Sequence, residues 1–396
     1  MVAQAVRGHL RRADLEPVPD RRHTGSASGI MLAALDHGPV ARSTIARLAG
    51  LSPAAVSRQC AALIRCGLLR EVPGAGPVKP AGRPHVPVDI DTTGPVVCGV
   101  HIALRHATLA VVDLRGGVIA RERVPHGAAP DPGDVLKRIA ARLPGLATRP
   151  VLGVGVATGG WVDSDAGVIV DHPLLGWRDV RVRELLERRT GLPVRVDGHS
   201  RALARAEQLF GDQRARSSVV HLFAGSVVDA AFAVGGTVQH GPRSAAGTVA
   251  HLPLPGRNDP CECGRTGCLQ AVVSEDALAA RAATTGVVAE PSFGSLLDAA
   301  LAGDPRANAM FRLRARAVGG AAAMLLDMFN PEVLVVVEAG AMLLPGCLEV
   351  LRAEARCRWH GGGEPPVAAT SFGRDVLHIA ASAVMLSEIY ANPLAT

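Results

Sequence analysis

Aromatic residues make up only 3% of this 396-residue chain, and one of them alone is Tyr. Such scarcity argues against a binding surface of stacked rings. Lysine is nearly missing as well: Lys79 and Lys137 stand against 40 Arg, a bias that genome composition explains as readily as chemistry. No apolar run reaches 18 residues, because Asp327 and Glu338 interrupt the best candidates, so no membrane span is expected. The N-terminus carries Arg7, Arg11 and Arg12 without an apolar segment, which argues against a signal peptide and for a cytoplasmic protein. No tandem repeat is found. In a reducing compartment, a cluster among the eight Cys reads as a metal site rather than a disulfide framework.

What is present suits a protein of two or three domains. Apolar residues reach 48% and charged residues 20%, enough to bury large cores. Charge is unevenly placed. Residues 1–92 carry a net +5 and the rest of the chain a net +1. A small basic head on a near-neutral body suggests an anion-binding module, with DNA the leading candidate. The alternative is a solvated Arg-rich face.

Residues 1–25 have no sustained periodicity and read as a tail. Apolar positions predict helices at Ser26 to Asp36 and Ala41 to Ala49, the second with Ile45 and Leu48 on one face and Gly50 as its terminator. Ser52-Pro53 opens a third, with Ser as N-cap, Pro at the first helical position and Val56, Cys60, Leu63 and Ile64 as core face. A Gly/Pro-dense segment from Pro73 to Pro87, flanked by short strands, would form a wing. Beyond Gly94-Pro95 strands and helices alternate, which indicates an α/β domain. Strands are expected at 96–100, 109–114, 151–156, 194–196 and 333–337, with helices at 134–142, 183–189, 200–210 and 308–329.

Short helices, a tight turn and a capped third helix follow helix-turn-helix logic. The first turns of the third helix then face base edges, which nominates Ser52, Ala54, Ala55, Ser57 and Arg58. Arg58 suits a bidentate contact to guanine. Arg42, Ser43 and Ser52 are placed for phosphates. In Gly82-Arg83-Pro84, Arg83 could enter a minor groove. A three-helix packing module that touches no nucleic acid is the alternative.

The sharpest signal is His251 followed by Cys261, Cys263 and Cys268. Three thiols lie within eight residues, and the His lies ten before the first. Zinc takes four N/S ligands in a tetrahedron, and this set closes the shell without a catalytic water. Unrelated loop thiols are the alternative. Cys60, Cys66, Cys98, Cys347 and Cys357 are isolated and expected as buried small hydrophobes.

With these motifs the chain resembles the ROK family, named for repressors, open reading frames and sugar kinases. The family pattern is Gly-Glu-x-Gly-His followed by Cys-x-Cys-Gly-x-x-Gly-Cys-x-Glu. Here it reads Gly247-Thr248-Val249-Ala250-His251, then Cys261 through Gln270. The resemblance covers nearly everything from Ser26, and the head is similar to that of the repressor branch. It implies an N-terminal winged helix-turn-helix (26–92) on a two-lobed, actin-like (ribonuclease H-like) α/β domain. The first lobe would be 93–198 with the C-terminal helix (374–396, its core Val376 to Tyr390), and the second 199–373 with the zinc loop.

The kinases of the family hold phosphate with an Asp-x-Gly-Gly-Thr turn, a Gly-Thr-Gly loop and a Gly-Gly near the adenosine. The matching stretches here are His101 to Arg105, Ala224-Gly225-Ser226 and Val337-Glu338. Leu104 and Arg105 block the backbone approach that Gly allows. The catalytic Asn-Asp pair becomes Gly198-His199. Asp197 is either a shifted base or a strand-end turn residue. Sugar-binding positions become Gly198, His199, Thr248, His251 and Gln270, and the resemblance adds Gly160 to the cleft. ATP-dependent catalysis is therefore not expected.

The expectation is a DNA-binding transcriptional regulator, a repressor by family default, with structural zinc and no ATP. Its partners would be operator double-stranded DNA, a small-molecule effector (a sugar or another metabolite) and a second copy of itself, as a dimer or a tetramer. The rivals are a ROK sugar kinase with an added head and a regulator that binds no ligand.

Overall fold

The computed structural model describes residues 24–73, 86–127 and 129–395. The chain before Thr24, and the Gly82-Arg83-Pro84 stretch that carries the expectation for Arg83, lie outside the described residues.

The head comprises α1 (Thr24–His37), α2 (Arg42–Leu48), α3 (Pro53–Arg65), β1 (Leu69–Glu71) and β2 (Val88–Ile90). Helix α1 starts inside the stretch expected as tail. Gly50, at φ +65°, lets the Leu51 N–H reach back 2.9 Å to the Ala46 carbonyl, so the chain reverses straight into Ser52. Ser52 Oγ then accepts from Ala55 N at 3.2 Å, and Pro53 opens α3. Val56, Cys60 and Leu63 are buried with Ile30, Met31 and Ile45. Two expectations are corrected. Ile64 is half-buried, and Leu48 is 42% exposed. Helix α2 ends at Leu48, and Ala46 takes the inner position instead. Strands β1 and β2 pair antiparallel with Arg70 opposite Asp89.

The protein forms two compact units. The first joins the head to β3 (Val96–Ile102), β4 (His106–Val112), β5 (Val118–Pro125), α4 (Pro132–Leu146) and β6 (Val151–Thr158). The short β7 (Trp161–Asp163) belongs to the second unit; β8 (Val168–His172), β9 (Trp177–Val180), α5 (Val182–Thr190) and β10 (Val194–Gly198) follow. Every residue of β3 and β6 is buried, as strands covered on both faces require.

The second unit holds α6 (His199–Phe210), β11 (Ser218–Ala224), β12 (Val228–Val234), β13 (Thr237–Val238), α7 (Leu269–Val273), α8 (Glu275–Thr284), α9 (Phe293–Leu301), α10 (Pro305–Phe329), β14 (Val333–Glu338), α11 (Ala339–Leu343), α12 (Cys347–Arg358) and β15 (Val367–Ala369). Helix α13 (Val376–Ala391) returns the chain to the first unit from Leu377 on.

Both sheets repeat one plan. The orders are β5-β4-β3-β6-β10 and β13-β12-β11-β14-β15. In each, an antiparallel meander is extended beside its first strand by a parallel strand, β6 on β3 and β14 on β11. Two such α/β lobes make the actin-like architecture. Helix α10 buries Ala307, Phe311, Arg314, Ala315 and Val318 at helical spacing and packs against α12, which buries Cys347, Leu351 and Ala355. Cys357 is corrected: it is exposed, because two residues past Ala355 the helix faces solvent. Among the described residues no helix is long and apolar enough to cross a membrane.

Candidate functional site

On α3 the exposed positions of the first turns are Pro53, Ala54, Ser57 and Arg58, and Ala55 is half-buried. Ser52 and Ser43 are exposed as well. The Ser52 oxygen is taken by its cap bond, which leaves its O–H as a donor. Arg42 is directed elsewhere than expected. Its guanidinium bonds Glu71 Oε1 at 2.7 Å and the Val86 carbonyl at 3.5 Å, bracing the ribbon base.

The thiol cluster is assembled by two passes of chain. Leu269 N bonds Leu252 O at 2.8 Å and Gln270 N bonds Ala250 O at 2.8 Å, so His251 lies beside Cys268. A tight turn from Cys261 to Arg265, closed by Cys261 N to Arg265 O at 2.9 Å, brings the other two thiols over. The four ligand atoms of His251, Cys261, Cys263 and Cys268 lie within 4.8 Å of one another. Cys263 Sγ is 3.7 Å from Cys268 Sγ, and Cys261 Sγ is 3.6 Å from His251 Nδ1. A tetrahedron with zinc bond lengths has S–S edges of about 3.8 Å and S–N edges of about 3.6 Å. The donor set therefore fits a zinc-sized ion. Arg265 Nε donates to Cys263 Sγ at 3.4 Å and lowers that thiol to about 6, favouring thiolate. Burial pushes Cys268 the other way, up to about 11.

Gly160, Gly198, His199, Thr248, His251 and Gln270 all lie in the second unit, but few are disposed toward a ligand. Gln270 ties down the chain around Ser226: its Oε1 accepts from Val228 N and its Nε2 donates to Ser226 O, both at 2.7 Å. His199 is buried with its ring 4.2 Å from that of Phe223. Gly198 serves as N-cap of α6, and His251 faces the thiols. Gly160 and Thr248 are exposed. Gln270 thus bonds the chain's own backbone, and His251 lies against a thiol.

The stretch matched to the nucleotide loop is closed by the protein itself. Arg314 and Glu338 form an ion pair with both side chains fully buried. Arg314 Nη2 donates to Ala224 O and its Nε to Val273 O, both at 2.7 Å; Glu338 Oε2 accepts from Ala341 N at 2.7 Å. Next in the loop, Glu275 N bonds Gly225 O at 2.9 Å and Ser226 Oγ bonds Glu275 Oε2 at 3.0 Å. Sequence reasoning missed Arg314, although an Arg inside the apolar stripe of α10 and a Glu extending the apolar run 333–337 each demand a buried partner. In the first unit, the place of the phosphate turn holds His101, buried and lowered to about 3 by desolvation and neighbouring imidazoles.

A Ser–His contact invites comparison with a hydrolase. Ser164 Oγ lies 3.2 Å from His240 Nδ1. Yet Arg205 Nη2 is 3.0 Å from Nε2, and a guanidinium only donates. Nε2 must accept, so Nδ1 carries the proton and points it at Ser164. That tautomer has no lone pair for the serine proton.

Residues 97–369 match the model of the ROK family. The chain belongs to the ROK family. A transcriptional regulator from Mycobacterium tuberculosis (strain ATCC 25618 / H37Rv) is 34% identical over 409 residues, covering 98% of this chain and 91% of its own length. Among solved structures, a ROK transcriptional regulator described as a homologue of the Escherichia coli Mlc protein aligns at TM-score 0.74 with 22% identity, over 95% of this chain and 98% of its own. A ROK glucokinase from Streptomyces griseus, solved with glucose and AMPPNP, aligns at TM-score 0.65 with 25% identity, over 72% of this chain and 98% of its own. The regulator's match takes in far more of this ROK chain than the kinase's does.

Proposed function

We propose that this ROK-family transcriptional regulator binds operator DNA through its head and carries a kinase-like body without catalysis. The observation that supports it best is the exposed Ala54, Ser57 and Arg58 at the start of a capped helix, beside an antiparallel ribbon. Such a helix reads the major groove while its flanks contact phosphates. One head covers one half-site, so the working form is a homodimer. Arg58 supplies base contact and Ser43 and Ser52 contact phosphates; Arg83, outside the described residues, would enter a minor groove.

His251, Cys261, Cys263 and Cys268 would hold a structural zinc, whose chemistry is to order the loop by filling a closed N/S shell. The Arg314–Glu338 pair supports a body that takes no ATP. An effector, if one acts, meets exposed Gly160 and Thr248 rather than Gln270.

The test is fluorescence anisotropy of the purified protein with the DNA upstream of its own gene, across a salt series. A steep salt slope and preference over scrambled DNA support the reading. No binding at low salt sinks it.

A further inference from the structure

The first unit contains a device that sequence motifs do not announce, at the turn between β4 and β5. Asp113 Oδ1 accepts from Arg115 N at 2.8 Å and Gly117 N at 2.9 Å, so the turn is preformed. From it Arg115 reaches into the head. Its Nη1 donates to Leu35 O and its Nη2 to Ala34 O, each at 2.9 Å. These are last-turn carbonyls of α1: Leu35 O lacks a helical partner because the residue four on is Pro39, which has no N–H, while Ala34 O also accepts from Gly38 N at 2.9 Å. The same Nη2 pairs with Asp89 Oδ1 on β2. One planar guanidinium thus joins the body, the end of the first head helix and the base of the wing. The approach is so close that a Cβ on Gly38 would sit 2.1 Å from Asp89 Oδ1 and 2.8 Å from Arg115 Nη2.

Three further residues brace the chain around this point. Tyr390 of α13 donates to Leu114 O at 2.7 Å, which holds the turn from behind. Arg149 donates from Nε to Gly94 O at 2.7 Å and from Nη2 to Thr92 O at 2.9 Å. Asp91 Oδ1 accepts from Thr93 N at 2.8 Å and Gly94 N at 3.0 Å. The chain joining head to body is therefore a braced turn rather than a tether.

We propose that Arg115 is the positioning residue through which the body fixes the direction of the DNA-reading head, so that half-site spacing is set by the body. This rests on the DNA reading above. Arg115 touches no DNA in this scheme. Its partners are backbone carbonyls and one carboxylate, and its loss releases α1 and β2 from the body, leaving only the turn at residues 91–95 to hold the head's direction. A swivelling head still reads a half-site. It no longer distinguishes two half-sites on one face of the duplex from two on opposite faces.

The experiment uses the full chain and three duplexes. They are a single half-site, the inverted repeat that the wild-type protein selects from a random pool, and that repeat with its half-sites moved apart by about five base pairs, half a helical turn. Wild type should bind the moved repeat at least about 100-fold more weakly. Arg115→Ala should bind the single half-site within about twofold of wild type while the spacing penalty falls to about 10-fold or less. Arg115→Lys keeps charge and stem but not the fork, should give an intermediate penalty, and serves if the Ala variant does not fold. An unchanged spacing penalty, or equal weakening on all three duplexes, overturns the proposal. A second readout needs no DNA. By ¹⁵N relaxation, head amides in wild type should share the rotational correlation time of β3 and β6, and in Arg115→Ala or Arg115→Lys they should tumble faster. Equal tumbling in wild type and both variants overturns the proposal. If the wild type selects no sequence from the pool, the DNA reading fails, and relaxation alone decides whether Arg115 fixes the head.

Discussion

In the second unit, the loop around residues 251–268 and the loop around residues 224–228 each gather polar groups at one point, with opposite outcomes. In the first, three sulfurs and an imidazole nitrogen face one another within 4.8 Å. Arg265 donates to that inward set at its edge. In the second, Arg314, Glu338, Gln270 and Glu275 spend their donors and acceptors on the loop's backbone and on each other. Convergent donors left facing each other call for a cation between them. A loop whose groups are already bonded has nothing to offer a phosphate. The difference teaches that a ligand site is recognised by polar groups the fold leaves facing inward, and not by loop position alone.

Opening the thiol loop should have the largest effect. Cys263→Ser should take bound zinc from one ion per chain toward none and lower the melting temperature by on the order of 10 °C, since metal binding is folding free energy. Metal analysis beside calorimetry checks both halves. Unchanged melting would mean that the cluster is not a metal site.

Glu338→Ala should come next, at about 3–5 kcal/mol of stability, because it strands a buried guanidinium. Replacing Arg314 and Glu338 together by Met should cost clearly less. A double variant as unstable as the single one would show that the pair is not what holds the loop. Neither variant should hydrolyse ATP with a panel of sugars.

Arg58→Ala leaves both loops intact and sharpens the contrast between reading and scaffolding. Preference for the selected sequence should drop about 10-fold or more, with non-specific affinity and melting unchanged. Equal loss on specific and scrambled DNA would place Arg58 on phosphate only.

The smallest expected effect is acidic. His221 on β11 is fully buried, neither ring nitrogen has a hydrogen-bond partner, and burial lowers it to about 3. The unfolded chain takes up a proton near pH 6.5 that the folded chain refuses, so stability is complete above that pH and is lost as pH falls. His221→Leu should shrink the stability loss between pH 7 and 5.5 by about 1 kcal/mol. Denaturant titrations at the two pH values settle it.

Much of this was legible from local pattern. Ser52-Pro53 and Gly50 mark the turn between α2 and α3 because capping and left-handed backbone are local chemistry. The apolar run 333–337 marks β14 because a strand covered on both faces must be apolar throughout. Leu48 was misplaced because helical spacing tells which residues share a face, but not where a helix stops or which face meets the body; Cys357 was misplaced because the burial habit of an isolated Cys says nothing of the face of α12 on which it lies. The two bonds that Gln270 makes to the chain around Ser226 were not legible, because an amide looks the same in sequence whether it faces a ligand or binds the backbone. Arg314 stood in plain view at a buried helical position, and its partner 24 residues on could not be named.

By itself the sequence determined the capped third helix, the apolar runs that become β3, β6 and β14, the His/Cys cluster at 251–268 and the altered residues at the phosphate-binding positions. Each follows from residues a few positions apart, where torsional preference and short chelate spacing suffice. Tertiary structure alone decided that Arg314 meets Glu338 and that Arg115 clasps Ala34, Leu35 and Asp89. Those pairings join residues up to 81 positions apart. Their geometry exists only once separate segments have packed, because a charged group leaves water only where the fold has already placed its partner.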